Sequence, residues 1–113
     1  MLLSIAVTTY KRWQLCAEAV ASVKRQDYFP LEIIVVNDDP VSEFPLNDLD
    51  NGFLSNTNFI QHHNRCGLAA ARNSAIQVAR GEYFSFCDDD DVWPQDFAKR
   101  LIGGIENAPE GVG

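Results

Sequence analysis

Asp88, Asp89, Asp90 and Asp91 form an unbroken run after the apolar stretch Tyr83-Phe84-Ser85-Phe86-Cys87 and ahead of Val92-Trp93-Pro94. Four adjacent carboxylates repel one another, and a divalent cation or a cationic ligand is the simplest source of compensating charge. Oxygen donors alone suit Mg²⁺, Mn²⁺ or Ca²⁺ rather than zinc. An EF-hand loop counted from Asp88 needs Gly at its sixth position and Glu at its twelfth, where this chain has Trp93 and Lys99, so that kind of calcium loop is excluded. Capping of a following helix, with Pro94 at its first position, accounts for one aspartate and not for four. A merely solvated acidic loop is the alternative reading.

The elements that must position this run alternate in type. Leu2 to Thr8 is a short run of β-formers, and Gln14 to Arg25 sets Leu15, Ala19 and Val23 at helical spacing. Leu31 to Val36 is almost wholly apolar, as a parallel strand covered on both faces should be. Val41 to Asn56, with Pro45 and Gly52, reads as loop, and Thr57 to His62 as a third strand. Leu68, Ala71, Ala75 and Ala79 mark a helix ended by Gly81; Glu82 to Cys87 is the fourth strand; Phe97, Leu101 and Ile105 stripe a last helix. Gly111-Val112-Gly113 reads as the approach to another strand. Alternation of this kind predicts an α/β fold, a mostly parallel sheet flanked by helices, whose ligands bind beyond the carboxyl ends of the strands. Thr8-Thr9-Tyr10-Lys11-Arg12, Asn37-Asp38-Asp39-Pro40 and the aspartate run are thereby expected on one edge.

Composition narrows the class. The chain has 113 residues, 46% hydrophobic and 22% charged, enough for one globular domain with a real core. Sixteen acidic against nine basic residues give a net charge of −7, which argues against a nucleic-acid or anionic-membrane surface, and a polyanionic ligand would need a cation between it and the protein. Cys16, Cys66 and Cys87 are odd in number and widely spaced, so they read as free thiols of a reducing compartment. No apolar run approaches the ~20 residues of a membrane span, and Met1 to Val7 is too short for a signal segment. The expected place is the cytoplasm, with a peripheral position at the inner face of the membrane open to the full-length protein.

Five segments in order, Thr8-Thr9-Tyr10-Lys11-Arg12, Ile34-Val35-Val36-Asn37-Asp38-Asp39, Asn64-x-x-Gly67-Leu68-Ala69-Ala70-Ala71-Arg72-Asn73, Ala79-Arg80-Gly81-Glu82-Tyr83 and Phe86-Cys87-Asp88-Asp89-Asp90-Asp91-Val92-Trp93, resemble the motifs of family-2 glycosyltransferases. That resemblance implies a Rossmann-like GT-A fold, with residues 1–113 as its nucleotide-sugar binding portion and the acceptor half absent. It implies that Thr8, Thr9 and Tyr10 touch the nucleoside and that Asp38 binds the uracil edge. Asp88-Asp89-Asp90 matches the family's Asp-x-Asp motif, with Asp90 the direct metal ligand and Asp88 or Asp89 reaching the ribose or a metal-bound water. Arg72 would face the same edge and offset the acids.

The implied cofactor is Mn²⁺ or Mg²⁺, the donor a nucleotide-diphosphate sugar with UDP expected, and the acceptor a glycan or lipid-linked glycan held by the second half. Sugar transfer would proceed with inversion, the metal binding the diphosphate while a base outside these residues deprotonates the acceptor. No catalytic residue is nominated here. Lys11 stands where the family commonly has Asn and Thr8 where it has Pro, and Asn37-Asp38-Asp39-Pro40 stands where it has Asp-Asp-Gly-Ser, so the glycine is missing. Thr8 and Thr9 read alternatively as a plain strand end, Tyr10 as core packing, Asp38 as a turn former with Pro40, and Arg72 as a surface ion-pair partner. His62 and His63 receive no role. Two alternatives remain. A receiver-type phosphoacceptor domain would carry its acid pair after the first strand and a lone Asp after the third, where this chain has Thr-Thr-Tyr-Lys-Arg and His62-His63-Asn64. A non-catalytic sugar-nucleotide binding module would differ only in lacking turnover.

Overall fold

The computed structural model of the chain describes residues 2–42 and 56–106. Along these run β1 (Leu3–Thr9), α1 (Trp13–Lys24), β2 (Leu31–Asn37), β3 (Thr57–Gln61), α2 (Leu68–Val78), β4 (Tyr83–Asp88) and α3 (Phe97–Glu106). The strands form one sheet of order β3-β2-β1-β4 in which every pairing is parallel. Each expected strand and helix is present, with ends that differ by no more than a residue or two except at the start of α3. Most of the expected 41–56 loop and the approach to a further strand at 111–113 lie outside the described residues.

The apolar strands are explained by their coverage. Ile5, Val7, Ile33 and Val35 point to one face and pack with Cys16, Ala19, Val20 and Val23 of α1 and with Ala98 and Ile102 of α3. Ala6, Ile34 and Val36 point to the other and pack on Ala71 and Ala75 of α2. Both central strands are therefore sandwiched between helical layers, and each buried Ile or Val contributes about 1.5–3 kcal/mol. The small alanines of α2 let that helix lie close to the sheet.

The expected helical stripes face the core except at one end each: Ala19 and Val23 of α1 are fully buried while Leu15 is 42% exposed, and Phe97 and Leu101 of α3 pack against the core while Ile105 is 48% exposed. The spacing identified the helices and most of each buried face, and docking added the neighbouring Cys16 and Val20 on α1 and Ala98 and Ile102 on α3. Pro94 is not the first residue of α3. Its carbonyl accepts the Phe97 amide at 3.1 Å, and the helix starts at Phe97.

The aspartate loop is anchored from behind by α1 and the turn after it. Ser22 Oγ accepts the Trp93 amide at 2.9 Å. Gln26 donates to the Pro94 carbonyl at 2.8 Å and accepts the Ala98 amide at 2.8 Å, and Asp27 and Gln95 exchange two further bonds. The Trp93 and Phe97 rings meet at 4.5 Å between centroids. These contacts hold both sides of the β4–α3 connection, so the acidic residues preceding Trp93 spring from a fixed base.

Candidate functional site

Parallel register brings the first strand end and the acid run together. Thr8 pairs with Val36 on one side and with Asp88 on the other, about 4.8 Å away in the ladder direction. Thr8 borders a cavity of about 450 Å³ at the carboxyl edge of the sheet. Thr9 also borders it, but its Oγ1 is buried without a conventional hydrogen-bond partner and influences Cys16 of α1. The Cys16 thiol is pushed up to about 12 by burial and then by the Asp89 charge, with Thr9 pulling weakly the other way. Tyr10 is not core packing: it lines the cavity with the Arg65 guanidinium 4.0 Å above its ring and Lys11 Nζ at 5.3 Å. Lys11 has φ 58°, a left-handed conformation that Asn adopts more readily, which explains why Asn is the usual residue in the resembling motif.

The four aspartates divide into two environments. The Asp88, Asp90 and Asp91 carboxylates are exposed and offer oxygens within 4.8 Å of one another. Asp89 is turned inward, only 3% exposed, and is gripped by Arg12, whose Nε donates to Oδ2 at 3.2 Å while Nη2 donates to Oδ1. A forked guanidinium–carboxylate pair of this kind occupies both oxygens of a buried Asp89, so the structure makes Asp89 an anchor of the loop. Arg12 Nη1 also lies 3.6 Å from Asp90 Oδ2. Arg72 reaches Asp88 Oδ1 at 3.6 Å from the opposite wall, its guanidinium 4.6 Å above the Phe86 ring. Four carboxylates thus face two guanidinium groups, leaving an excess of negative charge. Their effect reaches Cys87 beneath the loop, whose thiol is pushed up to about 12 by burial and then by Asp91, Asp88 and their neighbours.

Asp38 forms the far wall. It is 5% exposed, and its oxygens accept the Cys66 amide at 2.9 Å, the Gly67 amide at 2.9 Å and a contact from His62 Nδ1 at 2.8 Å. Gly67 has φ 92° and ψ 170°, a conformation essentially restricted to glycine, and this geometry lets two successive amides converge on one carboxylate. Burial acts to raise the Asp38 pKa, but the Cys66 amide, the His62 ring and the Gly67 amide outweigh it and hold the carboxyl below its ordinary range. The N-terminus of α2 adds a favourable dipole.

The preceding turn needs no glycine. The Asp39 amide donates to Asn37 Oδ1 and the Val41 amide to Asp39 Oδ1, each at 3.0 Å, two successive side-chain turns that replace a positive-φ residue. Asp39, not Asp38, is therefore the turn former, and the Asp38 carboxylate is left to meet the β3–α2 loop.

Thr8, Thr9, Tyr10, Asp38, Asp88, Asp89 and Asp90 all line the one cavity, and Arg72 joins its acid wall by ion pairing. Sequence reasoning missed three participants. Arg12 sat unassigned in the first polar segment, Arg65 preceded the glycine turn, and His62 was set aside. The run Asp88–Asp91 was itself a signal for Arg12, since a buried member of such a run requires a cation. Nothing local pointed from His62 to Asp38, which are 24 residues apart.

An acid wall with exposed oxygens, an aromatic ring and a buried carboxylate thus meet around one cavity at the carboxyl edge of the parallel sheet. The family model described as glycosyl transferase family 2 matches residues 4–112. The chain belongs to that family. Among relatives, it is 40% identical over 94 residues to the Escherichia coli K12 glycosyl transferase WcaA, whose name assigns it provisionally to colanic acid biosynthesis, covering 81% of this chain and 33% of that protein. It is 32% identical over 93 residues to the Escherichia coli UDP-Glc:alpha-D-GlcNAc-diphosphoundecaprenol beta-1,3-glucosyltransferase WfaP, covering 81% of this chain and 36% of that one.

Among solved structures, S. aureus TarS 1-349 in complex with UDP-GlcNAc superposes with a TM-score of 0.78 at 25% identity, covering 100% of this chain and 36% of that one. The mannosyltransferase PcManGT of Pyrobaculum calidifontis, in complex with GDP-Man and Mn²⁺, gives 0.71 at 25% identity, covering 98% and 33%. The all-parallel sheet flanked by helices is thus the Rossmann-like GT-A fold. The chain spans about a third of the length of these relatives. Family membership removes the receiver-type alternative, as does the placement of the acids after β4 rather than β1. Among the described residues, no helix is long and apolar enough to cross a membrane.

Proposed function

We propose that this chain is the donor-binding part of a metal-dependent, inverting glycosyltransferase that takes its sugar from a UDP-sugar and delivers it to a glycan or lipid-linked glycan. The observation that carries the reading is the division of the acid run: Asp89 is neutralised by Arg12, while Asp88, Asp90 and Asp91 keep exposed oxygens close enough together to share one ion. An oxygen-only donor set of this kind fits Mg²⁺ or Mn²⁺. Asp88 and Asp90 border the cavity and Asp91 does not, so Asp90 with Asp88 would hold the metal on the ligand side. A metal bound there supplies charge to the diphosphate and stabilises it as a leaving group. Arg72 and Arg12 supply the rest of the positive charge. Tyr10 offers a ring face to the base, Thr8 borders the nucleoside, and Asp38 offers an acceptor to a base N–H. None of the described residues is assigned as the base that deprotonates the acceptor. The UDP-GlcNAc complex of TarS and the lipid-linked substrate in the name of WfaP support the donor and acceptor classes. A cytoplasmic location at the inner face of the membrane goes with that acceptor.

Calorimetric titration with UDP in Mn²⁺ and again in EDTA tests the reading. Binding in Mn²⁺ and none measurable in EDTA is the expected result, because a negatively charged site repels a bare diphosphate. Asp90→Asn should lose more of the metal-dependent binding than Asp91→Asn. Equal UDP affinity with and without metal would remove the metal bridge.

A further inference from the structure

We infer that His62 and Ser74 form a positioning relay that sets which oxygen of Asp38 is offered to the nucleotide, and so determines base selectivity. The inference rests on the nucleotide-binding reading above. It starts from His62, which stands just past the end of β3 and contacts two groups at once. Its Nδ1 is 2.8 Å from Asp38 Oδ1 and its Nε2 is 2.8 Å from Ser74 Oγ on α2. The Ser74 hydroxyl is within reach of both His62 Nε2 and the Ala70 carbonyl, the latter 3.1 Å away and one turn back on the same helix, and its single proton serves one of the two. The side chain of His62 is 12% exposed and that of Asp38 7%. A chain of four groups therefore connects the helix backbone to a buried carboxylate on the cavity wall.

Acceptor capacity gives this chain a purpose. A carboxylate oxygen has room for about two hydrogen bonds. Oδ1 of Asp38 receives both His62 Nδ1 and the Cys66 amide, so it is full, whereas Oδ2 receives only the Gly67 amide. The remaining capacity of the group is on Oδ2. Asp38 is held ionised, so it accepts and does not donate. A base with a ring N–H, as in uracil, is matched by such an acceptor, whereas cytosine presents a lone pair at that ring nitrogen and is repelled. If His62 no longer occupies Oδ1, the carboxylate is held by the Cys66 and Gly67 amides alone, Oδ1 regains an open acceptor site, and the preference between the two bases weakens. His62 touches no ligand in this account; it acts only through Asp38.

Two substitutions separate the two halves of the relay. In His62→Asn the amide nitrogen replaces Nδ1 and keeps the bond to Asp38. In His62→Gln the amide reaches the place of Nε2, keeping Ser74 and losing Asp38. UDP and CDP affinities measured by calorimetry in Mn²⁺ should show His62→Asn close to wild type. His62→Gln should lose on the order of tenfold for UDP with CDP unchanged, the size expected for one hydrogen bond to a charged group. Ser74→Ala should move the UDP-to-CDP ratio in the same direction by less, and it keeps the test alive should a His62 variant fail to fold. A Gln variant that weakens UDP and CDP alike, or Asn and Gln variants with the same ratio, would overturn the relay while leaving the nucleotide site standing. A wild-type chain that binds neither nucleotide would overturn the nucleotide site and the relay with it.

Discussion

Glu32 within β2 and Asp38 just beyond its end are both 5% exposed, yet they serve opposite ends of the sheet. Glu32 accepts Ser4 Oγ at 3.1 Å, the Arg80 amide at 3.0 Å and Arg80 Nε at 3.3 Å, and Ser4 Oγ in turn accepts the Gly81 amide at 2.8 Å. Every partner belongs to the protein, and the network latches the α2–β4 connection to the amino edge. Asp38 likewise accepts three bonds from the protein, on both of its oxygens, but it also borders an open cavity. The helix α2 sets this polarity. Its N-terminus faces Asp38 and attracts negative charge, while its C-terminal end leads to Arg80, where a cation is favoured. A buried carboxylate is thus a structural latch where it is enclosed at the amino edge and a candidate recognition group where, with the same number of protein bonds, it borders an open cavity.

The sharpest way to break this contrast is at Gly81. An added Cβ would sit 2.4 Å from Ser4 Oγ, 2.7 Å from the Ser4 nitrogen and 2.8 Å from the Tyr83 carbonyl, two of which are backbone atoms that cannot swing aside. Gly81→Ala should cost about 3 kcal/mol, at the upper end of overpacking effects. The folded fraction should bind UDP as wild type does. A urea melt coincident with wild type would show that this close approach is absent.

Removing the carboxylates themselves comes next. Glu32→Ala and Asp38→Ala each strand buried donors, at about 1–3 kcal/mol apiece. The two should differ in binding: Asp38→Ala loses UDP affinity and Glu32→Ala does not. Equal loss of affinity would erase the distinction between latch and recognition group.

A smaller effect is expected with pH. Because the folded pKa of Asp38 is lowered, its contribution is fully present above the ordinary value of 3.8 and is lost as pH falls through the folded value. The stability difference between wild type and Asp38→Asn should shrink as pH falls below about 4. A difference that grows in that acid window would give the shift the wrong sign.

The least perturbing experiment is thiol labelling at pH 8. Cys66 is exposed and should react at once, whereas Cys16 and Cys87 are buried with thiols pushed up to about 12 and should react only on unfolding. Fast labelling of all three would mean that the core beneath the acid loop is open.

What the sequence determined follows from local rules. A short Ile- and Val-rich run such as Ile33 to Val36 reads as a strand covered on both faces, and its alternation with helical stripes favours parallel pairing, so the carboxyl edge and its polar segments were legible in the sequence. The tertiary structure decided which of four like aspartates turns inward to Arg12, and that His62 meets Asp38. Identical side chains in a row carry no local difference; only a guanidinium arriving from 77 residues away distinguishes Asp89 from its neighbours. His62 and Asp38 likewise lie at the ends of adjacent strands, and their contact exists only once Asn37 and Gln61 are set in register. Local composition specifies elements and edges because backbone geometry repeats, whereas side-chain partnerships depend on the packing of segments distant in the chain.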